Sequence, residues 1–250
     1  MILRAPMLPL PIASTDRIFV LTGAGISAES GIATFRDAGG LWEQHRIEDV
    51  ASPEGWAKDP ETVWRFYSAR REQAANCIPN VAHQALADLE RKVGDRLFLC
   101  TQNVDPLHER AGSQRVCHMH GELLRSRCER PGCTPPFEDA GVYPTSATIP
   151  RCSCGARIRP HICWFGEVPF EMGAIAVELE RCDWFVTIGS SGAVYPAAGF
   201  VHAARSRGGR QARTIYVGPE APENAGSFDE VRLGKAGDVV PGLFGVASVD

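Results

Sequence analysis

Short apolar runs, each closing on a glycine or a polar turn, recur along this chain and alternate with segments of helical periodicity. RIFVLT at 17–22 runs into Gly23, RLFLCT at 96–101 into a polar turn, DWFVTI at 183–188 into Gly189, and TIYV at 214–217 into Gly218. Unbroken and rich in β-branched and aromatic residues, these read as strands buried on both faces. Val63, Phe66, Tyr67 and Ala74 fall near helical spacing within 61–77, and a second helix is predicted over 82–92 with Asn80 as its cap. Helical pattern returns over 170–181 and over 196–207, the latter with Pro196 in its first turn. From Phe228 onward the chain reads as a short helix or loop. Strands alternating with helices imply an α/β fold with a parallel sheet covered on both faces.

Residues 117–165 break that alternation, being rich in Cys, Pro and Arg with little helical pattern, and read as a small inserted module. Within it Cys128, Cys133, Cys152 and Cys154 form C-x4-C and C-x-C pairs with 18 residues between them. Two close cysteine pairs at such a distance fit a structural zinc holding a module too small for its own core, although the C-x-C pair is tighter than the usual knuckle. The remaining cysteines (Cys77, Cys100, Cys117, Cys163 and Cys182) read as small buried hydrophobes.

Composition narrows the class. The 250 residues are 44% hydrophobic and 22% charged, which suits a soluble globular protein and excludes a disordered, collagenous or membrane-embedded one. No apolar run approaches the roughly 18–20 residues of a membrane helix. With 26 Lys+Arg against 30 Asp+Glu, the net charge of −4 argues against non-specific nucleic-acid binding. The local arginines 125, 127, 130, 157 and 159 lack the interleaved aromatics of a single-strand groove and read as solvated surface. Pro6, Pro9 and Pro11 interrupt the first residues where a signal peptide would be continuous, so a reducing cytoplasm is expected, where clustered cysteines bind metal rather than pair.

Candidate chemistry begins at GAGISAESG, 23–31. Gly23 and Gly25 would let backbone N–H groups approach a diphosphate, with a following helix N-terminus adding partial positive charge. The spacing is not G-x-G-x-x-G, and Asp37 and Glu43 stand where no strand precedes them, so hydride chemistry is not indicated. In TFRDAGGLW, 34–42, Phe35, Arg36 and Asp37 offer a ring, a cation and an anion beside this loop. His120 is a candidate general base and His118, two residues earlier, would share a strand face with it.

Taken in order, GAGISAESG, TFRD, TQNVD (101–105), LHERAGS (107–113), HGELLRSRC (120–128), RPHICWFGE (159–167) and GSSGAVYPAA (189–198) resemble the sirtuins, most closely the class III, bacterial type. The resemblance spans roughly residues 17–241 and implies a Rossmann-like sheet with a smaller inserted zinc-binding and helical domain. An irregular tail, 1–16, would precede an NAD-binding domain of 17–36, 78–116 and 168–250. Residues 37–77 would form the helical part of the small domain, and 117–167 its zinc module and substrate-channel segment.

The implied activity is NAD-dependent protein-lysine deacylation, removing acetyl and also succinyl or malonyl groups and yielding nicotinamide, O-acyl-ADP-ribose and lysine. His120 would be the catalytic base and His118 structural. NAD would meet Gly23, Ala24, Gly25, Ile26, Ser27 and Glu29 of the glycine loop, then Thr34, Phe35, Arg36 and Trp42. Gln102, Asn103, Val104 and Asp105 would face its nicotinamide half. Gly189, Ser190, Ser191, Gly218, Pro219, Glu220 and Ala236 would face its adenosine half.

Tyr67 and Arg70, at i and i+3 on one helix face, form the Y-x-x-R pair that would receive an acyl carboxylate, while Arg71 points about 100° away. Trp164, Phe165, Gly166 and Glu167 would line the peptide channel. Zinc and NAD are thus the expected cofactors and acyl-lysine proteins the partners, with no specific nucleic acid, no membrane and a monomeric state. Protein ADP-ribosyl transfer and non-enzymatic NAD or zinc binding stay open as alternatives. Three departures from the family pattern stand out: Ala33-Thr34, Pro106 after Asp105, and Gly218-Pro219-Glu220 where the family has Asn-Leu-Glu in contact with adenosine.

Overall fold

A computed structural model describes residues 8–33, 45–206 and 211–246, together with the backbone of 41–42. In chain order, β1 (Ile18–Thr22) is followed by β2 (Leu41–Trp42), β3 (His45–Arg46), α1 (Ile47–Val50), α2 (Pro53–Lys58), α3 (Pro60–Ala75) and α4 (Val81–Val93). Next come β4 (Leu97–Thr101), α5 (Leu107–Arg110), β5 (Val116–His118), β6 (Gly121–Cys128), β7 (Phe137–Glu138) and β8 (Ile158–Ile162). The chain closes with α6 (Met172–Arg181), β9 (Trp184–Ile188), α7 (Phe200–Arg205), β10 (Arg213–Gly218), β11 (Glu230–Leu233) and α8 (Ala236–Phe244).

Six strands form one parallel sheet in the order β11-β10-β9-β1-β4-β5. Read from β5, this is the strand order of the doubly wound dinucleotide-binding fold. The chain leaves β1 for β4 on one side and returns to β9 on the other, so the connections diverge outside the C-terminal ends of β1 and β9. That divergence opens a crevice where ligands bind in such sheets.

Successive side chains of each strand alternate between two cores, which is why the strands read as unbroken apolar runs. Val20, Leu99, Val186 and Val217 pack under α4 and α8 with Leu86, Leu89 and Val240. Phe19, Leu21 and Phe185 pack on the opposite face with Ile175, Phe200 and Val201 of α6 and α7. A third core, including Trp56, Trp64, Tyr67, Leu123, Ile158 and Trp164, joins α1–α3 to the antiparallel sheet β7-β6-β8. Arg71 staples that unit: Nε donates to Leu123 O at 2.8 Å, Nη1 donates to Gly141 O at 2.6 Å, and Nη1 lies 3.3 Å from the Asp139 carboxylate.

The predicted strands correspond to β1, β4, β9 and β10, and the predicted helices over 61–77, 82–92 and 170–181 to α3, α4 and α6. Asn80 caps α4 as expected, its Oδ1 accepting from Ala82 N at 3.0 Å. The helix predicted over 196–207 divides into a 3-10 turn at Ala197–Gly199 and the shorter α7. The helix expected to follow the glycine loop is replaced by 3-10 turns at Ala24–Ile26 and Ala28–Ser30, stopped by Gly31 at φ 88°. The helix N-termini that reach this loop belong to α4, where Asn80 Nδ2 donates to Ile26 O at 2.8 Å, and to α8, where Gly237 N donates to Glu29 Oε2 at 2.8 Å. The segment after Phe228, read as helix or loop, contains the sheet strand β11 before α8. EVRL carries no apolar run because an edge strand buries little of its surface. Among the described residues no helix is long and apolar enough to cross a membrane.

Candidate functional site

The crevice is closed at its base by direct backbone contact between two loops. Gly23 N donates to Ile188 O and Gly25 N to Gly189 O, both at 2.9 Å. A Cβ on Gly25 would lie 2.7 Å from Gly189 Cα, so only glycine lets the loops after β1 and β9 meet. Both N–H groups are thereby engaged within the protein, which corrects the expectation that they approach a diphosphate; these glycines serve the close contact of the two loops. Ala24 completes the first 3-10 turn. Ile26 and Ala236 are buried in the core beneath it, so their side chains face away from the crevice. Glu29 is engaged elsewhere, with Oε2 accepting from Gly237 N at 2.8 Å at the start of α8.

Across the crevice, β4 delivers Gln102 to Asp105. Gln102 Nε2 donates to Ser190 Oγ at 2.9 Å, tying the β4 loop to the β9 loop. Asn103 Nδ2 donates to Gly23 O at 3.2 Å and to Ser27 Oγ at 3.1 Å, and Ser27 Oγ donates to Asp105 Oδ2 at 3.1 Å. Asp105 also accepts from Leu107 N at 3.1 Å, which anchors α5. Burial raises the Asp105 pKa despite these two donors. The backbone carbonyl of Val104 accepts from Leu123 N at 2.8 Å and connects this loop to β6.

His120 and His118 do not share a strand face; β5 ends at His118, and the two rings have separate partners. His120 Nδ1 lies 3.1 Å from Gln102 O, a carbonyl that can only accept, so Nδ1 carries the hydrogen and Nε2 is left basic. Burial lowers its pKa, the Gln102 contact opposing, and the ring is neutral at neutral pH. His118 instead places Nδ1 3.2 Å from Asn103 O and Nε2 2.7 Å from Glu109 Oε1. Two acceptors demand two N–H donors. Burial opposes charge on His118, but the hydrogen bond and charge of Glu109 outweigh it and raise the pKa.

On the small unit, Tyr67 and Arg70 are both buried on the inner face of α3, and the Arg70 guanidinium lies 5.3 Å from the Phe66 ring centroid. Tyr67 Oη accepts from Trp164 Nε1 at 3.0 Å. Phe165 is half exposed and its N–H donates to Ala51 O; Gly166 turns the chain at φ 89°. Glu167, expected in the channel, is clamped from within. Arg159 donates to both its oxygens, at 2.7 and 3.0 Å, and Trp164 N donates to Oε2 at 2.9 Å.

The four cysteines of the inserted module converge, their sulfurs all within 4.8 Å of one another. Cys128 and Cys154 Sγ are 3.6 Å apart, and Cys133 and Cys152 Sγ 3.8 Å. Thiolates about 2.3 Å from a tetrahedral zinc lie about 3.8 Å from each other, so the set fits that ion, including the tight C-x-C pair. Of the other cysteines, Cys100 and Cys182 are buried, whereas Cys77, Cys117 and Cys163 are only partly so, a correction to their reading as core thiols.

Gly218 ends β10, where the Tyr216 hydroxyl occupies the space a side chain at 218 would take. Pro219 and Glu220 are exposed beyond it, and Ser191 lies half-buried in the β9 loop. Thr34, Phe35 and Arg36 lie outside the described residues, as does the Trp42 side chain.

The Sir2 family pattern matches residues 23–196, the stretch that carries the crevice, the paired histidines and the cysteine module. This chain belongs to the Sir2 family. It is 51% identical over 231 residues to an "NAD-dependent protein deacylase" of Pasteurella multocida, covering 90% of this chain and 95% of that protein. It is 50% identical over 230 residues to a protein of the same name from Shewanella oneidensis, covering 91% and 93%. Among solved structures it resembles a Sir2 homologue in complex with NAD (TM-score 0.80, 42% identity, 91% of this chain and 88% of that one). A Sir2 protein bound to acetylated peptide is similar at TM-score 0.72 and 26% identity, covering 90% of each chain.

Two buried histidines that the sequence did not single out pack beside Ser27 and Thr22. His83, buried on α4, places Nε2 3.5 Å from Ser27 Oγ. His108 Nε2 lies 3.0 Å from Thr22 Oγ1, which donates to Thr101 Oγ1 at 2.8 Å. The two imidazoles meet edge to face at 5.0 Å, and burial holds both pKa values down, that of His83 to about 4. A histidine on an apolar helix face was the available signal, but its partners come from two other segments, the glycine loop and α5.

Proposed function

We propose that this chain is an NAD-dependent protein-lysine deacylase that accepts acetyl-lysine and, through Tyr67 and Arg70, lysines bearing a terminal carboxylate such as succinyl or malonyl. The observation that carries the reading is that, at the switch point of a parallel sheet, Asn103 bonds Gly23 O, Asp105 bonds Ser27 of the glycine loop, and His120 bonds Gln102 O beside them. Bound NAD supplies the ribose carbon that reacts with the acyl group, with nicotinamide as leaving group. The close contact of Gly23 and Gly25 with the Gly189–Ser191 loop shapes the side that takes its phosphates and adenosine half, and Gln102, Asn103, Asp105 and Ser27 orient the nicotinamide half. The family resemblance assigns Phe35 to shielding the reacting centre and Arg36 to the phosphate side, both outside the described residues. His120 accepts a ribose hydroxyl proton at Nε2, the nitrogen its Gln102 contact leaves free.

A base poised in this way is superfluous in a passive NAD or zinc scaffold, which disfavours the non-enzymatic alternative. The substrate backbone pairs beside Phe165 and Gly166 as an added strand, which tolerates many sequences around the lysine. The sheet portion forms the NAD-binding domain, with the α1–α3 unit and the zinc module as the smaller domain. We place the protein in the cytoplasm, as a monomer acting on acyl-lysine proteins.

The test is NAD-dependent release of acetyl, succinyl and malonyl groups from lysine peptides, with His120→Ala as control and mass spectrometry of the products. O-acyl-ADP-ribose is expected. Release without NAD overturns the reading, and ADP-ribose left on protein establishes the transferase alternative. Equal turnover of succinyl-peptide by Arg70→Met and the parent removes the acidic-acyl assignment.

A further inference from the structure

The Tyr67 hydroxyl has an unusual environment for a phenol in a core. Its ring is fully buried, and among the described residues its oxygen makes one hydrogen bond, accepted from Trp164 Nε1 at 3.0 Å. A phenolic oxygen that accepts still has its own hydrogen to donate. Leaving that donor unmatched in a buried site costs about 1–3 kcal/mol, which a ligand acceptor would recover. Burial raises the Tyr67 pKa, so the phenol stays protonated and able to donate.

The indole that donates to it is itself held from two sides. The Arg159 guanidinium lies 3.3 Å from the Trp164 ring centroid. Arg159 is fixed by both Glu167 oxygens and by Ile162 O at 3.0 Å, and Glu167 in turn accepts from Trp164 N. The Trp56 ring packs 5.9 Å away. Trp164 is 2% exposed, so its side chain is an internal support and no wall of an open channel.

We infer that Trp164 is a positioning residue for acyl-chain choice: by occupying an acceptor site of Tyr67 Oη, its indole N–H directs the Tyr67 hydroxyl hydrogen toward the acyl terminus. A carboxylate there accepts that hydrogen together with the Arg70 charge, whereas the methyl of an acetyl group leaves it unmatched. Glu167 and Arg159 act through Trp164 by fixing the indole plane. Discrimination of this kind is strong because the wrong ligand leaves a buried polar group unpaired. The inference rests on the reading of Tyr67 and Arg70 as the carboxylate site.

The experiment replaces Trp164 in the full chain with phenylalanine and, separately, with 3-benzothienylalanine, which keeps the indole shape but has sulfur in place of N–H. Measured with NAD in excess, the succinyl-to-acetyl ratio of kcat/KM is expected to fall about five- to tenfold in both variants, mainly through KM for the succinyl peptide. On a Tyr67→Phe background the same replacements are expected to leave the ratio where Tyr67→Phe alone puts it. Equal losses on both peptides, with no change in ratio, mean that Trp164 only packs, and overturn the inference. If Tyr67→Phe and Arg70→Met also leave the ratio unmoved, the carboxylate-site reading falls with it. If those two shift the ratio and the benzothienyl variant does not, only the role of Trp164 falls.

Discussion

His120 Nδ1 faces the main-chain carbonyl of Gln102 at 3.1 Å, and this single contact decides which nitrogen can act as base. The partner is a backbone atom at the end of β4, so the tautomer is set by the sheet rather than by another titratable group. Burial further lowers the pKa. Protonation inactivates the base, so the acid limb of kcat/KM against pH is expected below the ordinary histidine value of about 6.5. His120→Ala removes NAD-dependent turnover by at least about a hundredfold. An acid limb above 6.5 would contradict the neutral-imidazole assignment.

Burial works against a charge on Asp105. Its folded pKa is raised, so ionisation near neutral pH works against folding. Asparagine removes the charge and keeps Oδ1 as the acceptor for Leu107 N, while its Nδ2 donates to Ser27 Oγ, which turns from donor to acceptor. Asp105→Asn is expected to raise the melting midpoint by roughly 2–4 °C, corresponding to about 1 kcal/mol, and to reduce NAD-dependent turnover more than about tenfold. A destabilised variant with full activity would refute both parts.

His83 ties stability to pH in a defined direction. Its pKa is lowered to about 4, so below the unfolded value of 6.5 the unfolded chain binds a proton that the folded chain refuses. The stability it contributes is present above pH 6.5 and is lost as pH falls toward 4, up to about 3 kcal/mol. His108 and His161 shift in the same direction. His118, with its raised pKa, acts oppositely: its contribution is full below 6.5 and lost as pH rises through its folded value. Urea unfolding at pH 7 and pH 5 is expected to show a lower midpoint at pH 5, with a shallower dependence in His83→Gln.

The cysteine cluster makes the small unit depend on metal. Cys128 is buried at the end of β6, against the core that holds Trp64 and Tyr67. Cys128→Ser is expected to abolish equimolar zinc by elemental analysis and to lower the melting midpoint by roughly 5–10 °C, since 1 kcal/mol moves a chain of this size by about 2–4 °C. Unchanged zinc content in Cys152→Ser would show that the C-x-C pair does not supply both ligands.

Much of the site was legible because its chemistry is local. GAGISAESG and the cysteine pairs each place their groups within a few residues, so spacing pointed to Gly25 and Cys128, while the family resemblance of TQNVD implied Asn103 and Asp105. Their partners were not legible. Ser27 meets Asn103, Asp105 and His83 only because β1, β4 and α4 are packed together, contacts spanning 56 to 78 residues of sequence. Glu167 read as a channel residue because its motif is local, but Arg159 and Trp164 turn it inward.

The sequence by itself determined the alternation of buried strands and helices, the glycine loop, the family resemblance and the zinc-spaced cysteines, since each follows from periodicity or short spacing. Only the tertiary structure decided which histidine is shifted toward the neutral form and which toward the charged one. The family resemblance singles out His120 as the base, but the sequence does not show the partners of either ring. Folding gives one a carbonyl of β4 and the other the carboxylate of Glu109, and protonation follows the partner rather than the residue type.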